Sequence, residues 1–150
     1  MKKYIPVLAL LLTSLIYSQA KMDINNLIDR GGLLYAPNKE KPFSGSVFDM
    51  YNNGQLIMNG RYRKGLKSGK WIWWNEDGGI DSTGSYKNGL MHRKWTVWRE
   101  NGKKEREAHL KNGKLDGLFT AWHENGQTSS KGTYKDGKKE GKWTYWYSND

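Results

Sequence analysis

The chain has 150 residues, enough for one domain of ordinary size, with a formal net charge of +10 and no cysteine. That composition excludes disulfides, thiolate catalysis and cysteine metal sites. Only 36% of residues are hydrophobic, low for a thick two-layer core, while 18 glycines and 8 tryptophans against 3 prolines suggest many tight turns joined by ring-bearing strands.

In chain order, the first element is a targeting segment. Lys2 and Lys3 precede an apolar run over residues 5–17, and Ser18-Gln19-Ala20 supplies small residues at the positions a signal peptidase reads. Cleavage after Ala20 is expected, so residues 1–20 form a signal peptide. The run is short against the roughly 20 apolar residues of a membrane span. No cysteine follows it, which excludes a lipid-anchored lipoprotein. Loss of Lys2 and Lys3 lowers the charge of the mature chain to +8, a balance that favours acidic surfaces and polyanions as partners.

Residues 21–41 form a leader and cap. Residues 24–28 suit a short helical turn capping an open sheet edge. Leu33-Leu34-Tyr35 suits a leading strand, with residues 36–40 as its turn into Pro42-Phe43.

From residue 42 the chain repeats. Steps of 24 give Gly45, Gly69, Arg93, Gly117 and Gly141; then Val47, Trp71, Trp95, Phe119 and Trp143; then Met50, Trp74, Trp98, Trp122 and Trp146. Gly60, Gly84, Ala108 and Gly132 recur in phase, as do Tyr62, Tyr86, Leu110 and Tyr134. Residues 42–150 thus hold about four and a half units of one supersecondary motif.

Turn dipeptides such as Asn53-Gly54, Lys64-Gly65, Asp77-Gly78 and Asn88-Gly89 recur with spacings that alternate between 11 and 13. Asn-Gly and Asp-Gly suit type I′ turns between strands. The expected fold is all-β: an elongated, single-layer antiparallel meander of repeated hairpins. Two-residue loops would set Trp71 opposite Gly84, Trp95 opposite Ala108 and Phe119 opposite Gly132, each ring covering a residue with little side chain. The same register sets Tyr62 opposite Gly45 and Tyr86 opposite Gly69. The unit with Arg93 in place of glycine has Leu110 in place of tyrosine, so the departure is paired. One isolated unit should not fold, because stability in such arrays comes from stacking. The chain stops at Asp150, where the period expects glycine, and residues 142–147 are expected as an edge strand whose lysine and polar tail discourage edge pairing.

Alternation divides the faces. One face carries Gly69, Trp71 and Trp73 and is the expected packed face. The other carries Lys70, Ile72 and Trp74, unless a bulge at Gly78-Gly79 moves Trp74 across. On this second face Trp74, Trp98, Trp122 and Trp146 would stand in a row at about 10 Å intervals. Lys70, Lys94 and Lys142 would flank the row, with Lys87, Lys111 and Lys135 on the return strands. Rings and cations on a flat sheet can stack sugars and attract phosphate or carboxylate. The competing reading is cross-strand packing with solvated lysines.

No catalytic constellation is visible. His92, His109 and His123 fall at three different phases. Glu76, Glu100 and Glu124 recur in phase, but about 10 Å apart they make poor acid–base pairs. No cofactor is expected.

The units, for example residues 117–127 followed by residues 132–138, resemble the MORN-repeat variant and a bacterial group called the YwqK-like antitoxin family. Pro42-Phe43-Ser44-Gly45 is similar to the entry into that family's first repeat. The resemblance covers residues 35–150. It implies an elongated, twisted, single-layer sheet and a binding or scaffolding role, with a protein as the partner. The functional expectation is an exported protein-binding module or scaffold. The alternatives are a binder of anionic glycan or lipid surfaces, and an antitoxin-like immunity protein. Export makes nucleic acid an improbable partner.

Overall fold

A computed structural model describes residues 21–148; the expected signal peptide lies outside them. The described chain is nearly all β. Nine strands run as an antiparallel meander: β4 (Gly45–Met50), β5 (Leu56–Arg63), β6 (Leu66–Trp74), β7 (Ile80–Lys87), β8 (Leu90–Trp98), β9 (Lys104–Lys111), β10 (Lys114–Trp122), β11 (Thr128–Lys135) and β12 (Lys138–Tyr145). The short β1 (Met22–Asp23) joins β4 in parallel, giving one open sheet of ten strands.

The leader lies at the first edge, with a one-turn 3-10 helix at Ile24–Asn26, shorter than the expected 24–28 because Ile28 enters a strand; its N-cap Asp23 accepts a hydrogen bond from the Asn25 N–H. Leu33–Tyr35 forms β3, but it does not lead the meander. It pairs with β2 (Ile28–Arg30) in a separate two-stranded sheet. That hairpin is tied on by the Leu34 N–H donating to the Gly65 carbonyl (3.1 Å) and the Phe43 N–H donating to the Leu34 carbonyl (2.7 Å).

The register across each long hairpin is the expected one. Trp71 pairs with Gly84, Trp95 with Ala108 and Phe119 with Gly132; Gly45, Gly69 and Gly117 pair with Tyr62, Tyr86 and Tyr134. The turns, however, are of two kinds. Lys64-Gly65, Asn88-Gly89, Asn112-Gly113 and Asp136-Gly137 have positive φ at both residues and are type I′ turns. At Asn53-Gly54, Asp77-Gly78, Asn101-Gly102 and Asn125-Gly126 only the glycine has positive φ. There the Gly78 N–H donates to the Asn75 carbonyl and the Asn75 N–H to the Gly79 carbonyl. This is a type I turn closed by a glycine bulge. It adds one residue to the returning strand, and Asp81 is that residue in β7.

The 11/13 spacing has a further consequence. The longer arm has two more residues than its neighbour, and they are absorbed where β6 meets β5. Arg61 pairs with Ser68 and Asn59 with Ile72, so Gly60 alone faces Gly69, Lys70 and Trp71. Gly69, Arg93, Gly117 and Gly141 all take positive φ at this bulge.

The bulge also redirects the rings. Trp71 does not cover its register partner Gly84. It lies over Gly60 of the preceding strand, where an added Cβ would fall 2.1 Å from the ring; Trp95 lies likewise over Gly84 and Trp143 over Gly132. Each ring therefore ties its unit to the one before.

The buried core is small and sits at the first end. Val47, Met58, Tyr62 and Trp71 are buried together, and Ile24, Leu27 and Leu34 of the leader, with Phe43 at the repeat entry, pack against them. Full burial of Trp71 is worth at most about 4–6 kcal/mol at 25 cal/mol per Å². Beyond this point the sheet has no second layer among the described residues. No helix there is long and apolar enough to cross a membrane.

Candidate binding faces

The first face is a run of rings. Phe43, Tyr62, Trp71, Trp73, Tyr86 and Trp95 form one connected cluster, with edge-on contacts such as Tyr62–Trp71 (5.4 Å) and Tyr86–Trp95 (5.3 Å). Phe119, Tyr134, Trp143 and Tyr145 form a second. Between the two stand Val97, Ala108 and Leu110, so no ring contact joins Trp95 to Phe119.

This face holds the cation–ring contacts that sequence reasoning missed. The Lys67 ammonium lies 4.7 Å from the Trp71 ring centre, 5.0 Å from Tyr86 and 5.7 Å from Trp73. Among the described residues the ammonium has no hydrogen bond or ion pair, and burial pulls its pKa below the ordinary lysine value. Burial also pushes the Tyr62 and Tyr86 hydroxyls up. Lys139, three units on, lies 4.3 Å from the Trp143 ring and donates to the Tyr145 hydroxyl (2.6 Å), which raises its pKa. The signal was present in the sequence: Lys67, Met91, Leu115 and Lys139 share one phase of the repeat.

The second face carries the residues expected to bind. Beside each type I turn the extra residue falls in the returning strand, so alternation from Ile72 to Trp74, from Thr96 to Trp98 and from Thr120 to Trp122 is unbroken. Trp74, Trp98 and Trp122 therefore stay on the face of Ile72, Thr96 and Thr120. They are half-buried and make no ring contact with one another, while Trp146 is exposed. Their backbone is pinned: the Tyr51 hydroxyl donates to the Trp74 carbonyl (3.0 Å) and Arg99 Nη2 to the Trp122 carbonyl (2.7 Å). His123 Nε2 donates to the Trp146 carbonyl (2.8 Å).

The lysines are exposed, as expected, but do not all gather at the tryptophans. Lys87, Lys111 and Lys135 sit beside the type I′ turns, at the far end of the strands. Seven residues of strand, about 23 Å, separate Lys111 from Lys104, the register partner of Trp98. Lys70, Lys94 and Lys142 are nearer, about 13 Å along the strand from Trp74, Trp98 and Trp146. Lys94 lies 3.4 Å from Glu107 and Lys135 3.5 Å from Asp116. The cation that does lie over the row is Lys104, 5.5 Å from the Trp122 ring.

Glu107 organises this face. It accepts from Lys104 (3.0 Å) and from the hydroxyl of buried Thr96 (3.4 Å). Burial pushes its pKa up, but the Lys104 hydrogen bond and the charges of Lys104 and Lys94 outweigh it, so the carboxyl lies below its ordinary value. Asp116 is held low chiefly by the Asp136 backbone N–H, with help from Lys135. Among the described residues no group of three acids or histidines could hold a metal ion.

Fold and faces define a single-layer β-repeat protein. Residues 67–88 and 115–136 match the family described as MORN repeat variant. A search of curated proteins gives no match. One solved structure, "Crystal structure of GtfA/B complex bound to UDP and GlcNAc", aligns over 77% of this chain and 22% of that chain, at 12% identity and a TM-score of 0.29. That likeness is too slight to bear on fold or function.

Proposed function

We propose that this chain is an exported, non-enzymatic module that binds another protein through a face of its sheet. The observation that carries the reading is the apolar surface left in solvent by a single layer. Met91 and Tyr145 on the first face, and Leu90, Leu118 and Trp146 on the second, are 38–60% exposed, and large apolar side chains left in solvent on a sheet face suit an interaction surface. The match to a binding-type repeat supports the same reading. Export rests on the basic, apolar and small-residue succession of residues 1–20.

The test is in-cell cross-linking of a C-terminally tagged chain, followed by capture and mass spectrometry. The reading expects a mature N-terminus at Lys21 and one stoichiometric envelope protein. Absence of any stoichiometric protein sinks it. An intact Met1 with a cytosolic toxin would replace export by the antitoxin-like reading.

One observation favours a second reading. Lys104 over Trp122, with exposed lysines along both ends of the second face, suits an anionic glycan or lipid surface. That reading expects binding to fall steeply with salt, and salt-insensitive binding removes it.

A further inference from the structure

The first face is interrupted at the irregular unit, and the interruption has a shape. Leu110 stands where Tyr62, Tyr86 and Tyr134 stand in the other units, and Met91 and Leu115 stand where Lys67 and Lys139 stand. The result is a hollow of about 560 Å³ lined by Met91, Trp95, Val97, Leu110, Leu115 and Phe119. We propose that this hollow receives a bulky apolar side chain from an acidic segment of a partner protein; the proposal rests on the protein-binding reading above and names the face and the partner's chemistry.

Three observations set the occupant. The first is how the same face is covered elsewhere: at its first end the leader packs Ile24, Leu27 and Leu34, beside Phe43 of the repeat entry, against Val47, Met58, Tyr62 and Trp71. The cover this surface takes there is a non-repeat segment bearing large apolar side chains. The hollow offers the same kind of surface with nothing over it.

The second is charge. From β5 to β12 the in-register residues of this face include Lys67, Arg93, Arg106 and Lys139 and no carboxylate. Among the described residues Lys67 and Arg93 have no ion pair, and Arg106, itself exposed, is paired with its half-buried neighbour Glu105 (3.3 Å). The single acid lining the hollow is Asp81, the extra residue of a bulge, which accepts from the Ser82 hydroxyl (2.8 Å). Acidic residues flanking an apolar anchor complement this pattern.

The third separates a protein segment from a sugar or a lipid surface. Sugar stacking needs open ring faces, and on either side of the hollow the rings pack against one another, edge-on or stacked, with Lys67 over Trp71 and Lys139 over Trp143. What is open is aliphatic and concave, which suits a side-chain anchor.

The test uses the chain from Lys21 and three synthetic twelve-residue peptides, read by fluorescence anisotropy: acidic with a central Trp, acidic with a central Ala, and basic with a central Trp. Binding of the first alone, at least about tenfold tighter than either other peptide, is expected. The Leu110→Tyr variant restores the residue of the regular units and fills the hollow. It should keep or raise the thermal midpoint and weaken the acidic Trp peptide at least about tenfold. Arg106→Ala, which leaves the hollow open, should weaken it less and flatten the salt dependence.

Equal affinity for the Trp and Ala peptides, no binding of the first peptide, or full affinity in folded Leu110→Tyr overturns the proposal. So does equal or tighter binding to phosphatidylserine vesicles or polygalacturonate. Cross-linking of the tagged variant separates the two readings. A stoichiometric partner captured equally by wild type and Leu110→Tyr leaves the binding module standing and removes this face. No partner with either removes both.

Discussion

At the scale of single residues, the two faces hold charge in different ways. Lys67 sits half-desolvated over three rings without a carboxylate, whereas Glu107 gathers Lys94, Lys104 and Thr96 around one carboxyl. The Glu107 arrangement has a readable sign. Its folded pKa lies below the ordinary 4.5, so the folded chain holds this charge to lower pH than the unfolded chain does. The stability it contributes is present above about pH 4.5 and is lost as pH falls through the lower folded value. Urea midpoints measured from pH 6 downward should therefore decline less steeply for Glu107→Gln than for wild type. Parallel slopes would show that the cluster contributes nothing to acid sensitivity.

At the scale of elements, the ring-over-glycine contact couples neighbouring strands. Gly60, Gly84 and Gly132 each lie under a tryptophan, but Ala108 lies beside Phe119, the smaller ring. A methyl in this position and a full indole exclude each other. Phe119→Trp alone should cost about 1–3 kcal/mol by overpacking. Ala108→Gly in the same chain should recover most of that loss, and a double-mutant cycle on denaturant midpoints reads the coupling. Additive effects would mean the indole finds another seat.

The pairings of Trp95 with Ala108 and of Phe119 with Gly132 were legible in the sequence, because hairpin register follows from turn position and the phases match in every unit. The direction in which each ring leans was not. It depends on the two-residue excess of the longer arm, present in the 11/13 spacing but expressed only when β6 is laid against β5. Turn type was half legible for a similar reason. Asn-Gly and Asp-Gly tolerate both a type I′ turn and a type I turn with a bulge, and the arm lengths decide between them. Lys64-Gly65, with no asparagine at all, takes the I′ form because its position in the unit demands it. Phase gives a lysine its face but not its position along the strand, so Lys87, Lys111 and Lys135 fall at the strand ends beside the type I′ turns.

For the molecule as a whole, architecture was readable from period alone, while the leader was not, because nothing repeats there to set a register. The type I′ turns carry one more feature. The N–H of Gly65 donates to the Phe43 carbonyl, Gly89 to Lys67, Gly113 to Met91 and Gly137 to Leu115, all within 2.7–2.9 Å. Each bond reaches back one unit. Rings also reach back, from Trp71 to Gly60, Trp95 to Gly84 and Trp143 to Gly132. The sheet is thus polar in time as well as in space: each later unit finds its template already built, on the cluster buried at the first end. Deuterium uptake should run the other way. Amides of β12 should exchange first and those of β5 and β6 last, with protection stepping down unit by unit. A uniform rate along the sheet would mean that the array opens as one block, with no direction to its assembly.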